Sequence, residues 1–116
     1  MNDGTQDQVK VSFPASPTFS RIAKVTVAGL ALRLGVGVSL VEQLRTAVDR
    51  AVEFLHGEGR ITLQAQWEPH ELSIVLDNPD SPISTPCETK VIEVLSELVD
   101  EVKVIDGTIS MTLDSL

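Results

Sequence analysis

Ile61-Thr62-Leu63-Gln64-Ala65-Gln66-Trp67-Glu68-Pro69-His70-Glu71-Leu72-Ser73-Ile74-Val75-Leu76 is the stretch that decides the fold class. Ile61, Leu63, Ala65 and Trp67 alternate with Thr62, Gln64 and Gln66. Successive side chains of a strand point to opposite faces, so this period of two predicts a half-buried strand. Glu68-Pro69-His70-Glu71 reads as a turn, and Leu72, Ile74 and Leu76 resume the alternation on the way back. One face is apolar and the other polar, which predicts an antiparallel sheet covered on one side only. Trp67 follows the apolar face, so it is expected to pack in the core rather than to recognise a partner.

Outward from this hairpin the period changes to that of helices. Downstream, Asn78-Pro79-Asp80-Ser81-Pro82 breaks the strand, and Thr85-Pro86-Cys87-Glu88 has the form of a capping box with proline at the first helical position. The helix it opens is expected to turn Val91, Leu95, Leu98 and Val102 inward. A last hairpin runs from Val102 to Ile105, turns at Asp106-Gly107 and returns along Ile109, Met111 and Leu113. Upstream, Gly57 and Gly59 stop a helix whose stripe is Leu40, Leu44, Val48, Ala51 and Leu55, with Ser39 and Glu42 at capping-box spacing. Before it, Ser16-Pro17 opens a helix in which Phe19, Ile22, Ala23, Leu30 and Leu34 recur at helical spacing up to Gly35. Lys10–Phe13 is a short strand. Residues 1–8 are expected to be a disordered tail and residues 9–116 a single domain.

The expected order is strand, helix, helix, strand, strand, helix, strand, strand. Three helices need an apolar surface, and a one-sided sheet offers one. The sequence therefore predicts the α+β class: a two-layer α/β sandwich, its sheet antiparallel or mixed, with three helices on one face.

Composition narrows the function. The 116 residues suffice for one hydrophobic core, and 42% are hydrophobic. No apolar run approaches the roughly 20 residues that span a bilayer. The polar start, Met1 to Gln8, predicts no secretory leader, and the single Cys87 rules out an internal disulfide framework. A cytoplasmic location is the expectation. The net charge of −8 repels phosphate backbones and anionic lipid, so neither nucleic acid nor membrane is an expected partner.

Leu44-Arg45-Thr46-Ala47-Val48-Asp49-Arg50-Ala51 in the second helix, within that element order, resembles the bacterial anti-sigma-factor serine kinases. These belong to the histidine-kinase-like ATPase superfamily, with gyrase and the sensor kinases. Val11-Ser12-Phe13-Pro14-Ala15-Ser16-Pro17 looks like the family's opening strand and helix start. Leu98-Val99-Asp100-Glu101-Val102 followed by Gly107-Thr108 looks like its closing segment. The resemblance spans residues 9–114 and implies a Bergerat-like fold.

The resemblance also shows where the family's nucleotide chemistry is lost. In the family the second helix carries a Glu as general base and, four residues on, an Asn that holds Mg²⁺. Here those positions fall on Arg50 and Phe54. A guanidinium stays protonated and cannot act as a base, and a phenyl ring offers no oxygen to a hard cation. An alignment slid by one residue would offer Asp49 and Glu53 but breaks the match at Ala51. The family's Asp-x-Gly-x-Gly, whose Asp reads the adenine amino group, corresponds to Asp77, Pro79 and Ser81, with both glycines replaced. Its phosphate-cradling Gly-x-Gly corresponds to Thr89 and Val91, and residues 82–88 are few for an ATP lid. Phe54 is expected to fill the space a nucleotide would take.

The other candidates read more simply. His56 and His70 lack ligand-spaced partners and are expected at a helix end and in a turn. No serine lies in a nucleophile elbow. Glu93, Glu97, Asp100 and Glu101 are the solvated side of an amphipathic segment. The functional expectation is a protein-binding regulator resembling an anti-sigma factor. It would sequester a sigma factor or an anti-anti-sigma-type switch protein with no cofactor and no metal, and its sequence leaves room for a homodimer. The alternative is a serine/threonine protein kinase that still binds ATP and Mg²⁺ through a divergent site, with Asp77 reading adenine. A third class shares the fold alone, because a fold does not dictate a function.

Overall fold

A computed structural model describes residues 7–68, 70–80, 83 and 85–114. The first strand, β1 (Asp7–Pro14), starts three residues before the expected Lys10. A single 3₁₀ turn (Pro17–Phe19) follows, with the Ser16 hydroxyl accepting from the Thr18 N–H. It leads into α1 (Ser20–Arg33) and then α2 (Val38–Leu55). The central hairpin is β2 (Arg60–Glu68) and β3 (Glu71–Asp77). After α3 (Thr85–Leu95), β4 (Glu101–Ile105) and β5 (Thr108–Leu113) close the chain. This is the order read from the sequence.

The five strands form one sheet in the order β1-β2-β3-β5-β4, and every pairing is antiparallel. Register puts Phe13 opposite Ile61, Leu63 opposite Leu76 and Ile74 opposite Met111, so the apolar residues of adjacent strands share one face. The opposite face carries Lys10, Gln64, Ser73 and Ser110, and no helix of the described residues covers it. Helices α1, α2 and α3 supply the second layer of an α+β sandwich. Ala23, Val27, Leu44, Val48, Ala51, Leu55, Val91 and Leu95 meet the sheet residues in one core.

Local chemistry explains the boundaries. Gly35 takes a left-handed φ of +76° after α1, the N–H of Val36 reaches the Ala31 carbonyl and that of Gly35 the Leu32 carbonyl. This is the paired C-terminal cap that satisfies a helix's last carbonyls. His70 turns the central hairpin at a φ of 75°, and Asp106 the last one at 51°.

Several expectations fail. Phe19 and Ile22 are exposed rather than core, while Val27 and Ala31 are buried in their place. The Ser39–Glu42 capping box does not form. Gly37 is the N-cap without a side-chain bond, and Ser39 already lies inside α2. Its stripe runs through Val41 and Ala47, with Leu40 only partly covered. Helix α3 stops at Leu95, so Val99 is buried, Leu98 packs at the core's edge and Val102 belongs to β4. Of the tail expected at residues 1–8, residues 7 and 8 belong to β1 and residues 1–6 lie outside the described residues; α3 begins at Thr85, whose side-chain cap also lies outside what the structure describes. Trp67 is partly buried against the core, on the expected face.

Candidate functional site

Helix α2 brings together the two positions that the family resemblance singled out. Four residues span about 400° of helical rotation, so Arg50 and Phe54 lie on one stripe. With Glu53 and, from α3, Lys90 and Val94, they line a groove of about 460 Å³. Phe54 and Val94 are partly buried, and Arg50 and Lys90 supply the cations. The Arg50 guanidinium donates to Glu53 Oε1 at 3.0 Å, one helical turn away. Both partners are more than half exposed, so the pair contributes little to stability.

Mg²⁺ does not fit this groove. A hard divalent cation needs several oxygen ligands, and the positions facing it present a guanidinium, a phenyl ring and an ammonium. The carboxylate of Glu53 already accepts from Arg50. The alternative alignment fares no better at Asp49, whose carboxylate is 3.3 Å from Lys24 Nζ, on the side of α2 that faces α1. No group of three or more His, Cys, Asp or Glu residues among those described is arranged to hold a metal ion.

The remaining candidates lie apart from the groove lining. Asp77 ends β3, and its Oδ1 accepts from the Thr108 hydroxyl at 2.6 Å, across the β3–β5 pair that also registers the two residues. Pro79 is exposed in the following loop, and Ser81 lies outside the described residues. On α3, Thr89 points to solvent, and Val91 is wholly buried in the core. Val91 thus packs, as its place on the helical stripe predicted. His56 sits at the end of α2 with Nδ1 2.5 Å from the Glu53 carbonyl oxygen, and His70 is exposed in its turn.

Asn78 was not singled out by the sequence, yet it organises the end of β3. It is 0% exposed. Its amide donates to the Leu55 carbonyl at 2.8 Å and to the Glu58 carbonyl at 3.0 Å, and Oδ1 accepts from the Asp80 N–H at 3.0 Å. The last carbonyls of a helix have no partner within it, and Asn78 supplies one for α2. Its backbone N–H donates to the Gly107 carbonyl, and its own carbonyl passes so close to Gly107 that any Cβ there would collide with it. Asn78, the first residue after β3, is therefore clamped between the end of α2 and the β4–β5 turn.

No family model matches the chain, and no curated protein matches it. A solved structure does. The crystal structure of the RsbU and RsbW domains of Rv1364c from Mycobacterium tuberculosis has a TM-score of 0.72 to this chain at 14% identity. The match covers 92% of this chain and 31% of that one. The fold is shared. At that identity the likeness reaches the backbone and not the chemistry of the groove, which rests on Arg50, Phe54 and their neighbours alone. Among the described residues no helix is long and apolar enough to cross a membrane.

Sequence reasoning missed Lys90 and Val94 as groove residues. Their only signal was position: each precedes a core residue of α3, Val91 and Leu95, by one place and so flanks the buried stripe.

Proposed function

We propose that this chain is a protein-binding regulator resembling an anti-sigma factor, which sequesters a sigma factor or a related switch protein in the cytoplasm without turning over ATP. Support comes from the fold shared with the RsbU/RsbW-domain structure and from the side chains of the α2–α3 groove. The observation that carries the reading is the pairing of Arg50 and Phe54 on the stripe of α2 that lines that groove. Neither a base nor a magnesium ligand is available from them, so phosphoryl transfer lacks its two central groups. A domain without that chemistry still offers surfaces for binding.

Thermal melting with and without nucleotide tests the proposal. A ligand at 100 times its dissociation constant stabilises a protein by about 2.7 kcal/mol. Millimolar Mg-ATP is expected to leave the melting temperature unchanged. A rise of several degrees with Mg-ATP and not with Mg-GTP would refute it in favour of the kinase. Calorimetric titration against purified sigma factors and anti-anti-sigma-type proteins is expected to find a stoichiometric complex.

A further inference from the structure

Helix α1 is apolar on both sides. Its inner side, Ala23, Val27, Leu30 and Ala31, is buried in the core. Its outer side exposes Ile22 at 40%, Val25 at 63% and Leu32 at 62%. A surface helix of a self-contained domain normally turns polar residues outward, and a helix apolar all round is covered all round.

We infer that the outer face of α1 is a docking surface for an α-helix of a partner protein, one with an apolar seam and acidic rims. The inference rests on the reading of the chain as a protein-binding regulator and names the surface it uses. Ile22, Val25, Gly29 and Leu32 follow one another at intervals of three, four and three residues. That is the a/d spacing by which one helix seats along another.

Gly29 is the second, independent observation. It is exposed in the middle of the seam, its φ is not left-handed, and a Cβ built on it meets nothing within 4 Å. No described residue requires a glycine there, and glycine is the poorest helix former after proline. A helix lying on the seam would use the missing side chain to come close.

Charge selects the occupant. Helix α1 carries Arg21, Lys24 and Arg33 and no acidic residue, on a chain of net charge −8. Lys24 is paired with Asp49, whereas Arg21 and Arg33, at the rims of the seam, form no ion pair among the described residues. They sit about 18 Å apart along the axis and suit carboxylates at the two ends of a facing helix. A second copy pairing through α1 would set cation against cation.

The test uses two synthetic helical peptides of about three heptads with leucine along the seam, one with glutamate and the other with lysine at the rims. Fluorescence anisotropy against the full chain is expected to show saturable binding of the glutamate peptide, at least tenfold tighter than the lysine peptide. Val25→Asp and Leu32→Asp are expected to weaken it tenfold or more, and Arg21→Glu with Arg33→Glu to reverse the preference. Gly29→Leu is expected to raise the melting temperature yet weaken binding, a split that a purely structural role for Gly29 would not produce. Equal binding of the two peptides, no binding, or indifference to these substitutions overturns the inference. So does a homodimer dissolved by Val25→Asp, which would assign the face to a second copy. ATP binding in the melting experiment would defeat the proposed function and leave this titration untouched, so the two failures are distinguishable.

Discussion

Replacing Asn78 tests the clamp that holds the end of β3 against α2. Asn78→Ala removes two donated hydrogen bonds and one accepted bond from a side chain with no exposed surface. Each bond contributes about 1 kcal/mol net, and a buried carbonyl left without its partner costs about 1–3 kcal/mol. The Leu55 carbonyl is the group most at risk, because it closes a helix. The expected loss is ~2–4 kcal/mol. Unfolding entropies of about 2.1 cal/mol/K per residue convert this, for 116 residues, to a fall in melting temperature of roughly 8–16 °C. Asn78→Asp separates bonding from volume, since a carboxylate accepts but cannot donate to the two carbonyls. At neutral pH it is expected to be worse than alanine. Burial raises the carboxyl pKa of that variant in the folded state, so its stability is highest below the unfolded-state value of about 3.9 and is lost as pH rises through the folded value. Urea denaturation followed by circular dichroism at pH 4 and pH 7.5 measures both effects. If both variants stay within 1 kcal/mol of the parent at either pH, the clamp assigned to Asn78 is wrong.

Three further outcomes are expected. Gly107→Ala places its Cβ on the Asn78 carbonyl oxygen, with backbone on both sides unable to yield, and should cost ~2–3 kcal/mol in the same assay. Phe54 is only partly buried, so Phe54→Ala should cost ~1–2 kcal/mol rather than the ~3–5 kcal/mol of a core phenylalanine; the larger loss would show that the α2–α3 groove is closed. The Asp114 carboxyl is raised above its ordinary value, first by its side-chain hydrogen bond with Asp100 and then by that residue's charge. A raised carboxyl pKa favours the fold below the unfolded value and loses that effect as pH rises through the folded one, so the linkage acts only at acid pH. A carbon-detected NMR titration should find the Asp114 midpoint above the usual carboxylate value and lower in Asp100→Asn.

The candidate site was legible only in part. Two residues four apart on a helix share a stripe whatever the rest of the chain does, so Arg50 and Phe54, which the family resemblance singled out, had to lie on one side of α2. Which neighbour would complete the groove depended on how α3 crosses α2, and Lys90 and Val94 emerged only from that packing. Asn78 looked like one more polar loop residue, because its partners Leu55 and Glu58 are 23 and 20 positions earlier and meet it only in the folded chain.

By itself the sequence determined what depends on near neighbours: the alternation of Ile61–Trp67 and Leu72–Leu76, the stop at Gly35, the turn at Asp106-Gly107 and the element order that follows from them. These rest on backbone sterics and on the periods of 2 and 3.6 residues, which a few consecutive side chains express. The tertiary structure alone decided which way α1 faces. With apolar residues around most of its circumference, several stripes could have entered the core, and the sequence reading chose Phe19, Ile22, Ala23, Leu30 and Leu34. Packing against α2 and the sheet kept Ala23 and Leu30 inside, added Val27 and Ala31, and left Phe19, Ile22, Val25 and Leu32 outside. Burial is settled by which surfaces meet, and that is a property of the assembled layers rather than of any single segment.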